Sequence, residues 1–205
     1  MFTKWVSQVH ILKCVEVRTS KRYQQNKPFP HIILKNFLLP NQASKICKAL
    51  TNLSFMRKDS DLFCLEQSYD FKHAKGILKD LHGLFSSQEF VSYIESISKM
   101  KLKHGNIDMA AQRYRDKCYL LPHDDRLESR KVAYILNFTK NFEKKDGGQL
   151  QFFDSKGSHP KRVVKSYIPE FNTLYLFTVS KNSWHQVSEV TSNKSRISIA
   201  GWFHG

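Results

Sequence analysis

Apolar residues recur along this chain in two rhythms. Between about residues 40 and 98 they return every three or four positions: Ile46, Ala49, Leu50 and Leu53 after Pro40-Asn41, then Phe71, Ala74, Leu78, Leu81 and Phe85, then Phe90, Tyr93, Ile94 and Ile97. That spacing puts each set on one face of an α-helix and predicts three helices packed by a single side. Asn41 is placed to cap the first. For the third, Ser86 and Glu89 have capping-box spacing, and Phe85 and Phe90 sit where a hydrophobic staple would. Ahead of these helices, His31-Ile32-Ile33-Leu34 reads as a strand following Pro28-Phe29-Pro30.

After about residue 105 the rhythm changes to short strand-like runs: Tyr114 to Leu121, Val132 to Phe138, Gln149 to Phe153, Arg162 to Tyr167, Thr173 to Val179 and Arg196 to Phe203. Asp146-Gly147-Gly148 predicts a hairpin turn between two of them. Helices first and many short antiparallel strands second describe an α+β fold whose second half is a two-sheet β-sandwich or jelly roll, with a cavity between the sheets. No repeat, low-complexity tract or linker interrupts the chain, so one domain is expected, preceded by an extended or helical N-terminal arm.

Composition narrows the class. The 205 residues are 40% hydrophobic and include 15 Phe, 8 Tyr and 3 Trp, enough for a sizeable core and unlike a disordered chain. No apolar run is long enough to cross a bilayer, and the first residues lack both an h-region and a cleavage site, which disfavours a membrane-spanning or secreted protein. Cytoplasm or nucleus is the expected compartment. Cys14, Cys47, Cys64 and Cys118 are scattered without a C-x-x-C pair; they argue against a zinc site or disulfide framework and read as reduced thiols.

The charge is +15, from 33 Lys+Arg against 18 Asp+Glu, and it is uneven: Glu16 is the only acid before Asp59, while 11 Lys and Arg fall in that stretch. Such a surface attracts a polyanion such as RNA, although a solvated face that maintains solubility explains the charge equally well. A basic start also suits an organelle transit peptide, but the β-branched Val6, Val9, Ile11, Val15 and Val17 weaken that amphipathic helix.

The strand-rich half carries candidate chemistry. In Pro122-His123-Asp124-Asp125, alternation along an extended chain would send His123 and Asp125 the same way and Asp124 elsewhere. His185, 62 residues after His123, can complete a two-histidine, one-carboxylate face if the sheet folds back on itself. That donor set leaves open positions on an octahedral ion and suits Fe(II). An H-x-D pair alone is weak among nine histidines. Arg196 adds weight: it lies 11 residues after His185 on a predicted strand whose face Ser198 shares, so the two could grip a carboxylate. A metal face with a carboxylate anchor inside a β-sandwich is what a 2-oxoglutarate oxygenase requires.

From about Pro28 to Gly205 the sequence resembles the Ofd1/Tpa1/OGFOD-type prolyl hydroxylases, enzymes dependent on iron and 2-oxoglutarate. The resemblance lies in PFPHIILKNFL at residues 28 to 38, DLFCLEQS at 61 to 68, LLPHDDRLESRKVAYIL at 120 to 136, GGQLQFF at 147 to 153, SYIPEFN at 166 to 172 and SWHQVSEVTSNKSRISIAGWFHG at 183 to 205. It implies a double-stranded β-helix (jelly roll) with supporting N-terminal helices: a basic arm at 1–27 and a dioxygenase domain at 28–205, helical over 28–104 with the jelly-roll core over 105–205. By position it implies iron ligands His123, Asp125 and His185, with Arg196 and Tyr114 on 2-oxoglutarate. It further implies O2 as cosubstrate, ascorbate as an aid, succinate and CO2 as coproducts, and as substrate a prolyl residue of a small-subunit ribosomal protein. Asn137 stands where the family commonly has a second tyrosine, and its shorter amide would hold the cosubstrate less directly. Family members also carry a second, noncatalytic domain beyond the point where this chain stops.

Two other functions compete. A nucleic-acid demethylase of the AlkB kind would explain the charge, but such enzymes place a second arginine shortly after the carboxylate anchor, and residues 197–205 contain none. A noncatalytic RNA- or protein-binding module on the same fold is suggested by Asn137, whereas the retained His123, Asp125, His185 and Arg196 oppose it. A basic enzyme is also electrostatically mismatched with a basic ribosomal protein unless acid lines its cleft or the encounter occurs beside RNA.

Overall fold

The computed structural model describes residues 2–127, 129–156 and 159–205. Eleven strands pair into one continuous sheet: β1 (His31–Lys35), β2 (Met56–Ser60), β3 (Phe63–Gln67), β4 (Ala110–Tyr114), β5 (Tyr119–His123), β6 (Arg130–Asn137), β7 (Leu150–Lys156), β8 (His159–Tyr167), β9 (Thr173–Thr178), β10 (His185–Val187) and β11 (Arg196–His204). The path is β1-β9-β6-β11-β4-β3-β5-β10-β7-β8, with β2 attached to β3. Every pairing is antiparallel. The sheet curls so far that its first and last strands meet: His31 Nε2 on β1 accepts a hydrogen bond from the Tyr167 hydroxyl on β8 at 3.0 Å, and Phe29 packs on Phe152 with ring centroids 4.6 Å apart. This is the jelly-roll architecture the strand pattern predicted.

Period-two alternation sorts the central strands into an outer and an inner face. On β6, Val132, Tyr134 and Leu136 join the larger core under the helices, while Ala133 and Ile135 turn into the curl with Leu150, Phe152 and Phe177. The helices α1 (Gln8–Ile11), α2 (Lys13–Gln25), α3 (Pro40–Thr51), α4 (Gly76–Ser86) and α5 (Gln88–Ser98) support that outer face. Leu81, Phe85, Phe90 and Ile94 are inaccessible to solvent, and Phe85 stacks on Phe90 at 4.3 Å. The N-terminal residues take the helical alternative and lie on the core, burying Phe2, Trp5, Val6 and Tyr23. Among the described residues, no helix is long and apolar enough to cross a membrane.

Several local expectations are corrected. Helix α3 begins at Pro40 with Leu39 in the cap position, so Asn41 lies inside it; proline, whose missing N–H is no loss in a first turn, sets the start. Residues 71–85 are not one helix: Asp70 caps a short 3-10 turn at Phe71–His73, and α4 starts only at Gly76. Helix α5 is capped by Ser87, whose Oγ accepts from Phe90 N, rather than by Ser86, which ends α4. The run from Tyr114 to Leu121 is two strands separated by a turn, and the hairpin β2–β3 and the short β10 are additional. Asp146-Gly147-Gly148 is no hairpin either, because β6 and β7 do not pair; it ends a turn that carries the chain between different strands.

Phe90→Ala tests the helix-to-sheet core. A fully buried phenylalanine is expected to cost about 3–5 kcal/mol when truncated, which urea unfolding followed by far-UV circular dichroism would measure.

Candidate metal and cosubstrate site

The site is assembled by a register. His123, the last residue of β5, is the direct cross-strand partner of His185, the first residue of β10, and the two rings lie 4.1 Å apart. Each Nδ1 donates to a backbone carbonyl two residues earlier: His123 to Leu121 O and His185 to Ser183 O, both at 2.8 Å. A carbonyl only accepts, so Nδ1 carries the proton and the Nε2 lone pair is left free, the tautomer that metal-binding imidazoles use. Both Nε2 atoms face the Asp125 carboxylate, at 3.4 Å for His123 and 3.3 Å for His185. One ligand atom from each of the three lies within 4.8 Å of the others.

Asp125 reaches this point by a route that strand alternation does not describe. β5 ends at His123, and Asp125 lies beyond it with φ of 62°, in the left-handed region. The turn, rather than a continuing pleat, aims the carboxylate back at the histidines, while Asp124 bonds outward to Arg126 Nε at 2.7 Å. Burial would raise the Asp125 carboxyl, but the imidazoles of His185 and His123 hold it well below its usual range. Burial likewise opposes protonation of His123, and Asp125 outweighs it, raising its pKa. Asp125 and His185 are nearly sealed whereas the His123 side chain is 29% exposed, so the cluster opens to solvent on the His123 side.

Deeper in the curl lies Arg196, buried to 1% exposure at the start of β11 opposite Tyr114 on β4. Its guanidinium is poorly compensated. Nη1 reaches Ser198 Oγ only at 3.5 Å, the guanidinium carbon sits 4.9 Å over the Tyr114 ring, and Nε has no partner. Burial lowers its pKa, with Tyr114 opposing. A buried cation in this condition is a standing cost that an anionic ligand would relieve. Tyr114 donates to Gln112 Oε1 at 3.2 Å, and burial pushes its phenol up to about 12, with Arg196 working against the rise. Arg196, Ser198, Ala200 and Trp202 share one face of β11, and the last two line the cavity beside the histidines. Asn137 lies opposite Ser198, with its Oδ1 occupied by Thr139 N at 2.8 Å.

The Asp146-Gly147-Gly148 turn packs beside Arg196. A Cβ at Gly147 would stand 1.9 Å from Glu189 O, a clash that only glycine avoids, and one at Gly148, where φ is 65°, would meet Val190 Cγ2 at 3.2 Å and Arg196 Cδ at 3.3 Å. Asp146 anchors the turn through Lys194 Nζ and Glu143 N, each at 2.8 Å from its Oδ2.

Outside the ligand cluster a cleft of about 670 Å³ opens, walled by the β2–β3 hairpin through Lys58, Leu62 and Phe63 and by Arg130 and Trp202 opposite. The sequence reading missed this hairpin and Gln112, although the short apolar run Leu62-Phe63-Cys64-Leu65 was a usable strand signal. Trp184 lines the cleft, and Trp184 and Trp202 both carry buried indole N–H groups without an acceptor. Phe177 is the ring against which His185 rests, at 4.6 Å. Cys64 and Cys118 are buried neighbours, with Sγ atoms 3.0 Å apart.

Comparison with known proteins agrees with this geometry. Residues 109–204, which include His123, Asp125, His185 and Arg196, match the 2OG-Fe(II) oxygenase superfamily, whose enzymes use Fe(II), 2-oxoglutarate and O2. Among curated proteins it is 39% identical over 184 residues to the prolyl 3-hydroxylase OGFOD1 of Xenopus laevis, covering 87% of this chain and 35% of that protein. It is 28% identical over 195 residues to the prolyl 3,4-dihydroxylase OGFOD1 of Ostreococcus tauri, covering 86% of this chain and 38% of that one. The chain thus spans about a third of the length of the curated relatives it matches. Among solved structures, a Pseudomonas putida prolyl-4-hydroxylase superposes with a TM-score of 0.70 at 17% identity, over 91% of this chain and 98% of that one. A Trichoplax adhaerens prolyl hydroxylase bound to a hypoxia-inducible-factor peptide superposes at 0.71 and 17% identity, over 92% and 90%. These two show the shared fold.

Two outcomes follow from the electrostatics. Arg196→Met should raise the melting temperature of the ligand-free protein, because an uncompensated buried charge is removed, and should abolish the upward shift that millimolar 2-oxoglutarate gives the wild type; thermal melts with and without the acid check both. Asp146 is held at about 2, first by Lys194 and then by the Glu143 backbone N–H. Its folded value lies below the unfolded one, near 3.9, so its stabilisation is complete above about pH 4 and is lost as pH falls toward 2. The melting-temperature gap between wild type and Asp146→Asn should therefore be full at pH 7 and close across that acid window.

Proposed function

We propose that this chain is an oxygenase domain that hydroxylates a prolyl residue of a protein, with Fe(II) held by His123, Asp125 and His185. The observation that carries this reading is the convergence of two imidazole Nε2 atoms, each with its Nδ1 tied to a carbonyl, on one depressed-pKa carboxylate. These donors fit Fe(II) in type and number. The orphaned Arg196 Nε fits the distal carboxylate of 2-oxoglutarate. Bound there, iron and cosubstrate supply the activation of O2 that protein groups lack.

The chain's own residues do the rest. Leu121 O and Ser183 O fix both imidazoles in the ligating tautomer. Arg196 anchors the cosubstrate, with Ser198 and Tyr114 as hydroxyl partners and Asn137 at the far end of the same wall. Phe177 and the sealed side of the cluster exclude water, and the cleft at His123 admits the substrate. The prolyl target is supported by the names of the curated relatives, a ribosomal or ribonucleoprotein substrate by the family resemblance, and an RNA contact by the basic N-terminal region. Cytoplasm or nucleus is the compartment in keeping with these partners, and ascorbate the expected aid to turnover.

The test is anaerobic reconstitution with Fe(II), followed by NMR detection of succinate from 2-oxoglutarate on admitting air, with and without ribosomal-protein extract. Extract-stimulated succinate that falls below detection in Asp125→Ala supports the reading. Iron binding with no succinate under any condition overturns it and favours a noncatalytic module. Arg196→Ala should raise the 2-oxoglutarate KM about ten- to a hundredfold, the loss of charge-assisted bonds worth about 1.5–3 kcal/mol.

A further inference from the structure

The two edges of the curled sheet meet beside a second cavity, of about 250 Å³, that shares no lining residue with the catalytic cleft. Arg22 from the last turn of α2, Lys27 from the α2–β1 connection and Lys165 from β8 line it together with Tyr167. No Asp or Glu lines it, and among the described residues none of the three cations forms an ion pair. Three like charges brought together from separate elements repel one another unless an anion sits between them. Their field reaches into the protein: burial lowers the pKa of His31 at the base of the cavity, its Phe29 carbonyl bond resists, and Lys165 lowers it further.

Lysines on an edge strand also discourage intermolecular pairing, but that role needs no contribution from α2 and no acid-free cup. Further along β8, beyond the exposed Val163 and Val164, two more cations, Lys161 and Arg162, are exposed. A surface extended in this way matches a chain of phosphates better than a single anion. We infer that this seam cavity is a phosphate-binding site for single-stranded RNA, with Arg22, Lys27 and Lys165 gripping the backbone. It deepens the RNA contact proposed above, rests on that reading for the class of ligand, and moves the contact from the N-terminal region at large to the seam between α2 and β8.

The test measures fluorescence anisotropy of a labelled 12-nucleotide single-stranded RNA against the full chain at several salt concentrations. The double variant Arg22→Glu, Lys165→Glu is compared with the charge-matched Lys45→Glu, Lys48→Glu on α3, and circular dichroism checks that both are folded. Lys165→Gln serves as a milder second variant. The seam variant should bind at least tenfold more weakly, with a log–log salt slope shallower by about 1.4 for two lost single-strand contacts; Lys165→Gln should move in the same direction by less, and the α3 variant should change by less than about twofold. Equal losses in both double variants, or none in either, overturn the site. Binding of phosphatidylserine vesicles or a phosphopeptide through the seam in preference to RNA overturns the ligand. Succinate production measured on a short prolyl peptide separates this result from the hydroxylase reading: weakened RNA binding with unchanged turnover supports the seam site whatever the substrate, and a seam variant that also loses peptide turnover counts against a separate RNA site.

Discussion

The site depends on one cross-strand pairing, His123 opposite His185. β5 and β10 are short, five and three residues, and side chains alternate with every step along a strand, so a slip of one residue would turn one imidazole away from Asp125. The register is held from both sides: β10 also pairs with β7, placing His185 opposite Phe152, and Phe177 packs on its ring. The curl of the sheet is a separate contribution, since β5 and β10 are direct neighbours: it folds the β4-to-β8 half over the β1-to-β11 half, carries Phe177 of β9 onto the His185 ring, and is closed at its far edge by the His31–Tyr167 contact.

Arg196 exposes the opposite constraint, a group kept at a cost. Its neighbours hold it with little compensation: Tyr114 offers a ring face and a side-chain hydrogen bond, Ser198 a long contact, and Gly148, lacking a Cβ, leaves room for its methylenes. The turn's own polar groups are spent internally, on Lys194, Glu143 and Thr191. A fold shaped only for stability would place an apolar side chain here. The guanidinium and the unpartnered indole N–H groups of Trp184 and Trp202 leave buried donors free near His123, Asp125 and His185.

Much of this was legible in the sequence, for identifiable reasons. The core strands β6, β9 and β11 carry long β-branched and aromatic runs, and the buried stripes of α3 and α5 repeat at helical spacing, so tertiary packing and local pattern agree. The helix starts were less legible because caps compete: Pro40 outranked Asn41, and Ser87 outranked its neighbour Ser86. β2 escaped notice because all five of its positions are exposed, leaving no burial pattern to read. For the His123, Asp125 and His185 cluster, residue types and H-x-D spacing pointed to residues that the fold does bring together, but alternation does not describe how, since a left-handed turn at Asp125 cannot be read from it. The Asp146-Gly147-Gly148 signal was read correctly as a turn requiring glycine and incorrectly as a hairpin, because local chemistry specifies the bend and only the sheet topology specifies what it joins.

The charge distribution separates two kinds of surface that the net value of +15 conflates. Of the cations that line the cleft, Arg126 engages Asp124 and Arg130 lies over Trp202 while facing Asp108 at 3.9 Å, whereas Lys58 at the rim has no ion pair among the described residues; Arg113 and Arg115, outside the lining, both engage Glu66. At the seam, Arg22, Lys27 and Lys165 are unmatched. A prolyl ring is uncharged, and a cleft with its charges mostly paired presents apolar walls and fixed donors to it without strong repulsion of a basic chain. A polyanion held at the seam would also lower the long-range repulsion between a cationic enzyme and a cationic substrate, an effect that weakens beyond about 10 Å at 0.1 M salt. In the proposed hydroxylase, the mostly paired charge at the cleft would admit a basic protein chain, and the free charge at the seam would attract a polyanion.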